Sequence, residues 1–128
     1  MISPYAIPGI KKLPASSVLI GRIFKRNSMP FVMEIVIELY EVREKDIKSP
    51  WRKREIVWAR QVFCYLCYKY LKCSLKDIGE FVGGRDHTTV IHSNQVVLNL
   101  MDSDPAVREE VEQIESEVIN RRLKIVNT

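Results

Sequence analysis

Ser74-Leu75-Lys76-Asp77-Ile78-Gly79-Glu80-Phe81-Val82-Gly83-Gly84-Arg85-Asp86-His87-Thr88-Thr89-Val90 is the stretch whose reading decides the fold. Ser74 stands where a helix N-cap belongs. Asp77, three positions on, is a short substitute for a capping-box glutamate, and Leu75, Ile78 and Phe81 supply a brief apolar face. Gly83-Gly84 ends that helix. Asp86 is suited to cap the next one, because a carboxylate at a helix start accepts orphan amide hydrogens and complements the macrodipole. The second helix is expected to run through Val90, Val97 and Leu100 to about Met101. A short helix, a tight glycine turn and a helix opening on small polar residues follow the helix-turn-helix plan.

Working outward, Ile56, Ala59, Phe63, Leu66, Cys67 and Tyr70 form a broad apolar stripe, which predicts a helix from about Arg54 to Leu71. Earlier, Phe31, Ile35 and Leu39 recur at helical spacing behind Pro30, a residue suited to a first helical turn. This helix should fade near Tyr40 to Arg43 and leave a polar connection through Ile47 to Trp51. Beyond the core stretch, Ser103-Asp104-Pro105 breaks the chain and restarts it, with Asp104 as N-cap. Val107, Val111, Ile114 and Val118 then follow at alternating steps of four and three. The expectation is an all-α helical bundle of about five helices containing a helix-turn-helix. Residues 1–28, with Pro4, Pro8 and Pro14, read as an irregular N-terminal extension, open to three roles: a disordered leader, a segment packed on the bundle, or a basic arm through Lys25 and Arg26. Residues 29–128 form the helix-turn-helix domain.

The chain has 128 residues, 46% of them hydrophobic, enough for an ordinary core. A formal charge of +4 permits a polyanionic partner without requiring one. Three cysteines, with no basic and then apolar leader ahead of them, point to free thiols in a reducing cytoplasm. The longest apolar run, Phe31 to Tyr40, is broken by Glu34 and Glu38 and is too short for the roughly 20 residues of a membrane span. No membrane partner is expected.

In a helix-turn-helix the second helix enters the major groove, and its first turns reach the base edges. Asp86, His87, Thr88 and Thr89 suit this work. A carboxylate accepts from cytosine N4, an imidazole donates or accepts, and a threonine offers both a hydroxyl and a methyl to thymine. Arg85 adds a cation beside them. Phosphate donors cluster at Arg52, Lys53 and Arg54, with Arg60 and Gln61 one to two turns later. These residues point to double-stranded DNA as the partner.

From Phe31 to Val118 the sequence resembles the C-terminal DNA-binding domain of the bacterial chromosomal replication initiator DnaA. Its most specific part is Ser74-Leu75-Lys76-Asp77-Ile78-Gly79, then Phe81, then Gly83 to Val90, with His92 beyond. The resemblance implies that Asp86, His87, Thr88 and Thr89 contact bases and that Arg52 enters the minor groove, where such an arginine senses an A·T-rich stretch. It also implies phosphate contacts for Arg60 and Gln61. Pro50-Trp51, Tyr68 and Phe63-Cys64-Tyr65 depart from the family's usual residues. Only about thirty residues lie upstream, where the initiator's ATPase domain would stand, so ATP-driven initiation is not expected.

Two near-miss motifs are set aside. Gly79-x4-Gly84-Arg85-Asp86 approaches a phosphate loop, but Asp86 replaces the magnesium-binding hydroxyl and a helix replaces the preceding strand, so no nucleotide is expected. Cys64-x2-Cys67 is separated from His87-x4-His92 by nineteen residues, where zinc fingers of this kind use about twelve, and the cysteines sit in one helix. They read as core or inert thiols, and no metal, cofactor or catalytic set is expected. The alternative to DNA binding is a helical adaptor. Its last helix, with Glu109, Glu110, Glu112, Glu115 and Glu117 beside the Val107 to Val118 stripe, would pair with a protein partner or a second copy.

Overall fold

A computed structural model describes residues 28–126, and the side chains as far as Arg121. Residues 1–27 of the extension expected over 1–28 lie outside the described residues. Within them the fold is all-α, with six helices and no strand: α1 (Met29–Tyr40), α2 (Glu44–Ile47), α3 (Arg54–Leu66), α4 (Leu75–Phe81), α5 (His87–Ser103) and α6 (Pro105–Val126). None of them is long and apolar enough to cross a membrane.

α1 starts with Pro30 in its first turn and ends on Glu41, whose φ of 55° puts it in the left-handed region. Its inward face is Val32, Met33, Ile35 and Val36. Phe31 and Leu39, expected at the centre of the stripe, are only partly buried. α2 is one turn in the segment expected to be a polar connection. A single turn is too short to show periodicity, and it is held by Arg43 on Asp46 at 2.9 Å, Lys48 on Glu44 at 2.8 Å and full burial of Ile47.

α3 is the hub, packing against α1, α2 and α5. It was expected to run unbroken to Leu71. Instead its α-helical ladder stops at Leu66, and Cys67–Leu71 forms a wider π-helical turn that closes on Lys72 in the left-handed region. All three cysteines are free and buried, as expected of core thiols. α4 begins as the sequence indicates, with Ser74 Oγ accepting from the Asp77 amide at 3.0 Å. α5 buries Val90, Ser93 and Val97, whereas Leu100, expected in its core stripe, is 37% exposed.

α6 opens as read: Asp104 Oδ1 accepts from the Ala106 amide at 3.0 Å, just after the helix-breaking Pro105. Its stripe of Val107, Val111, Ile114 and Val118 is buried against this chain's own helices, so the apolar surface of the adaptor reading is spent internally. Two of its glutamates are buried as well. Glu110 accepts from Trp58 Nε1 at 2.9 Å and from the Tyr40 hydroxyl at 2.7 Å, linking α6 to α3 and α1. Glu115 accepts from Lys69 Nζ at 2.7 Å and from the Tyr70 hydroxyl. A buried carboxylate is tolerable only when paired in this way.

Glu110→Ala therefore removes the carboxylate that takes hydrogen bonds from both Trp58 Nε1 and the Tyr40 hydroxyl. Urea unfolding should show a loss on the order of 2 to 4 kcal/mol, while Glu110→Gln, which keeps an acceptor, should lose less. An unchanged midpoint for Glu110→Ala would show that the bridge contributes nothing.

Candidate nucleic-acid interface

The turn between α4 and α5 is built by close backbone packing. The Arg85 amide donates to the Gly79 carbonyl at 2.8 Å, folding the chain back across α4. A Cβ on Gly79 would lie 2.0 Å from the Arg85 carbonyl oxygen, so this helical position has room only for hydrogen. Gly83, at φ +104°, meets a second backbone: a Cβ there would lie 2.0 Å from the carbonyl oxygen of Lys48. The turn is thus pressed against the segment that follows α2.

Asp86 caps α5. Its Oδ1 accepts from the Thr89 amide at 3.0 Å, from Thr88 Oγ1 at 2.6 Å and from Thr89 Oγ1 at 3.1 Å. The Thr88 hydroxyl, then the Thr89 amide and hydroxyl, hold its carboxyl at about 2. His87, Thr88 and Thr89 are exposed on the first turn. Because both threonine hydroxyls turn their hydrogens toward Asp86, they face outward as acceptors.

The basic segment before α3 is held by a side chain from α3 itself. Arg60, only 7% exposed, donates Nε to the Ile47 carbonyl at 2.7 Å. Its Nη2 reaches the carbonyls of Asp46 at 3.2 Å, Ser49 at 3.0 Å and Trp51 at 3.0 Å. From the other side, Arg85 donates Nη1 to the Val82 carbonyl and Nη2 to the same Ser49 carbonyl at 2.6 Å. Burial, and for Arg60 also the neighbouring Arg85, pulls both guanidinium pKa values below their usual range. Arg60 was expected to grip phosphate; its Nε and Nη2 are engaged by the loop's backbone, and it also lines the cleft between that loop and α5.

Between this loop and α5 lies an open cleft of about 880 Å³, whose lining includes Lys48, Arg52, Gln61, Arg85, Thr89 and His92. No carboxylate is among the described residues that line it. The structure thus brings Arg52, Arg60, Gln61, Arg85 and Thr89 together at one cleft. Lys53 and Arg54 are exposed next to Arg52 in sequence, and Lys53 Nζ lies 5.6 Å from the Trp51 ring centroid. Asp86, His87 and Thr88 stand outside the cleft lining, on the exposed first turn of α5.

Two polar lining residues, His92 and Lys48, were not among the expected DNA contacts, although a packed or phosphate-facing place was one reading of His92. His92 was read by its spacing from His87, which puts it on another side of the helix. Its spacing of three from Thr89 is the signal that places it on the cleft side. Lys48 carried no signal, because the turn of helix that delivers it was not foreseen. The near-miss zinc pair resolves differently: Cys64 and Cys67 are in the core, and burial pushes the Cys64 thiol up to about 12, away from the thiolate a metal needs.

Comparison with known proteins agrees with this geometry. The family model described as the bacterial DnaA protein helix-turn-helix matches residues 29–97. Over 117 residues the chain is 35% identical to the chromosomal replication initiator protein DnaA of Bdellovibrio bacteriovorus, a match that covers 87% of this chain and 25% of that protein. The chain therefore spans about a quarter of the length of the curated relative it matches.

The Asp86 cap has a signed pH dependence. Its carboxyl falls from an ordinary 3.8 to about 2 in the folded chain, so its contribution to stability is complete above about pH 4 and is lost as pH drops through 2. In acid titration followed by circular dichroism, Asp86→Asn, which caps without titrating in this range, should show a smaller loss of stability between pH 4 and 2. Equal losses in the two proteins would remove Asp86 from the account.

Proposed function

The chain belongs to the bacterial DnaA helix-turn-helix family, and from that premise we propose that it binds double-stranded DNA sequence-specifically, at a box of the kind the initiator recognises. One observation carries the reading. The exposed first turn of α5 and a cationic cleft without carboxylates lie side by side. This pairs a base-reading element with a phosphate-gripping one.

In this reading α5 enters the major groove. His87 contacts a base edge, the threonine hydroxyls accept from exocyclic amines, and their methyls meet thymine methyls. Asp86 contributes through Oδ2 while Oδ1 holds the cap. Arg52 enters the adjacent minor groove, where a narrow A·T-rich stretch concentrates negative potential. Lys53, Arg54 and Gln61 bind phosphates, and His92 extends the polar lining of the cleft. The protein acts as a regulator of replication or transcription that occupies initiator boxes, with no catalytic step and no bound nucleotide. The adaptor reading has no observation in its favour, since its apolar stripe is buried in the bundle.

The test is a binding titration against duplexes with and without an initiator-type box, at two salt concentrations. Equal affinity for the two duplexes would sink base-specific readout. His87→Ala should cost about 1 to 3 kcal/mol on the box and reduce discrimination. Lys53→Ala should weaken all duplexes alike and lower the salt slope by about 1.

A further inference from the structure

Resting on that reading, we propose that Arg60 and Arg85 are positioning residues that lock the Arg52 loop to the start of α5, so that the two reading elements meet DNA at one fixed spacing. The shared acceptor is the Ser49 carbonyl, which takes Arg60 Nη2 at 3.0 Å and Arg85 Nη2 at 2.6 Å. Arg60 comes from α3, and Arg85 comes from the turn before α5. One peptide oxygen thus ties the loop to both.

The lock extends to each side of that oxygen. Arg60 also holds the carbonyls of Asp46, Ile47 and Trp51, which fixes the loop at both ends of its bend. The Ser49 hydroxyl donates to the Asp46 carbonyl at 2.7 Å and accepts from the Trp51 amide at 3.2 Å, bracing the bend from within. Gly83 packs directly on the Lys48 carbonyl, so loop and turn touch backbone to backbone. Arg52 follows a clamped residue, Trp51, and Asp86 follows another, Arg85. Each reading element is therefore one residue from an anchor.

The chemistry calls for guanidinium. Arg60 directs Nε and Nη2 at four carbonyls spread over six residues, a task for a planar fork of donors with fixed directions. A lysine ammonium keeps the charge but not the fork. Nε and Nη2 are spent on the loop's carbonyls, so the residue acts on binding through the position it gives Arg52.

The experiment takes the full chain, a duplex chosen by in vitro selection on the wild type, and versions of that duplex with one base pair inserted at each position. For the wild type, insertion between the minor-groove and major-groove segments should cost roughly 100-fold in affinity, because the heads cannot both engage. Arg60→Lys should shrink that penalty to about tenfold or less, with the salt slope unchanged. Arg85→Lys should act in the same direction and serves as the second variant should Arg60→Lys melt early. With the charge removed in Arg60→Gln, a uniform loss on every duplex and a salt slope reduced by about 0.9 would instead make the residue a phosphate contact and overturn the proposal. A lowered melting temperature with the full insertion penalty retained would also overturn it, leaving a purely structural arginine. A wild type that selects no duplex at all would bring down the DNA reading itself, a distinct result.

Discussion

The peptide oxygen of Ser49, shared by two guanidinium groups, is the contact on which the geometry of the interface depends. Two like charges are brought near each other there, and burial strips water from both. Carbonyl oxygens are the neutral acceptors that let them stay charged without a carboxylate neighbour. An ion pair would have neutralised the cleft it lines. Carbonyl pairing anchors the arginines and leaves their field intact for a polyanion. The same oxygens belong to a short turn, α2, and a bend that have little apolar area of their own beyond Ile47. The arginines add to the ion pairs of α2 and the Ser49 hydroxyl bonds that also shape this segment.

Behind the interface the bundle solves a different problem. α6 is rich in glutamates, and two of them are buried where an apolar residue would be the simple choice. Glu110 joins three helices through Tyr40 and Trp58, and Glu115 gathers Lys69 with the Tyr70 hydroxyl. A surface glutamate pair adds little to stability, whereas a buried acceptor with directed donors fixes the rotation of the helix that carries it.

Much of this was legible in the sequence, for physical reasons that can be named. Ser74, Asp86 and Asp104 act locally, each through an amide two or three residues on, so their caps were readable from spacing alone. The turn glycines were equally plain. The hidden features are long-range. Arg60 reads as one more member of a basic run, and only the fold shows that four carbonyls between 46 and 51 surround it. Glu110 looks like solvent-facing charge until Trp58, fifty-two residues away in sequence, is brought beside it. The π-helical turn at Cys67–Leu71 continues an apolar stripe without a break, so nothing in the periodicity marks it. Ile47 and Lys48 ride on a helix too short to have a period.

The cap on α5 constrains how such a protein can diverge. Asp86 stands among the residues proposed to read DNA, yet one of its carboxylate oxygens is occupied by three donors from the helix it begins. A change of side chain there alters the preferred sequence and the folding of the reader together. His87, exposed and outside the cap, carries no such double duty. On the proposed reading, relatives are free to explore new binding sites through His87 and through the loop arginine. Position 86 is restricted to side chains that can cap the helix it starts, whatever base lies opposite, so an Asp or Asn there would record helix initiation as much as recognition.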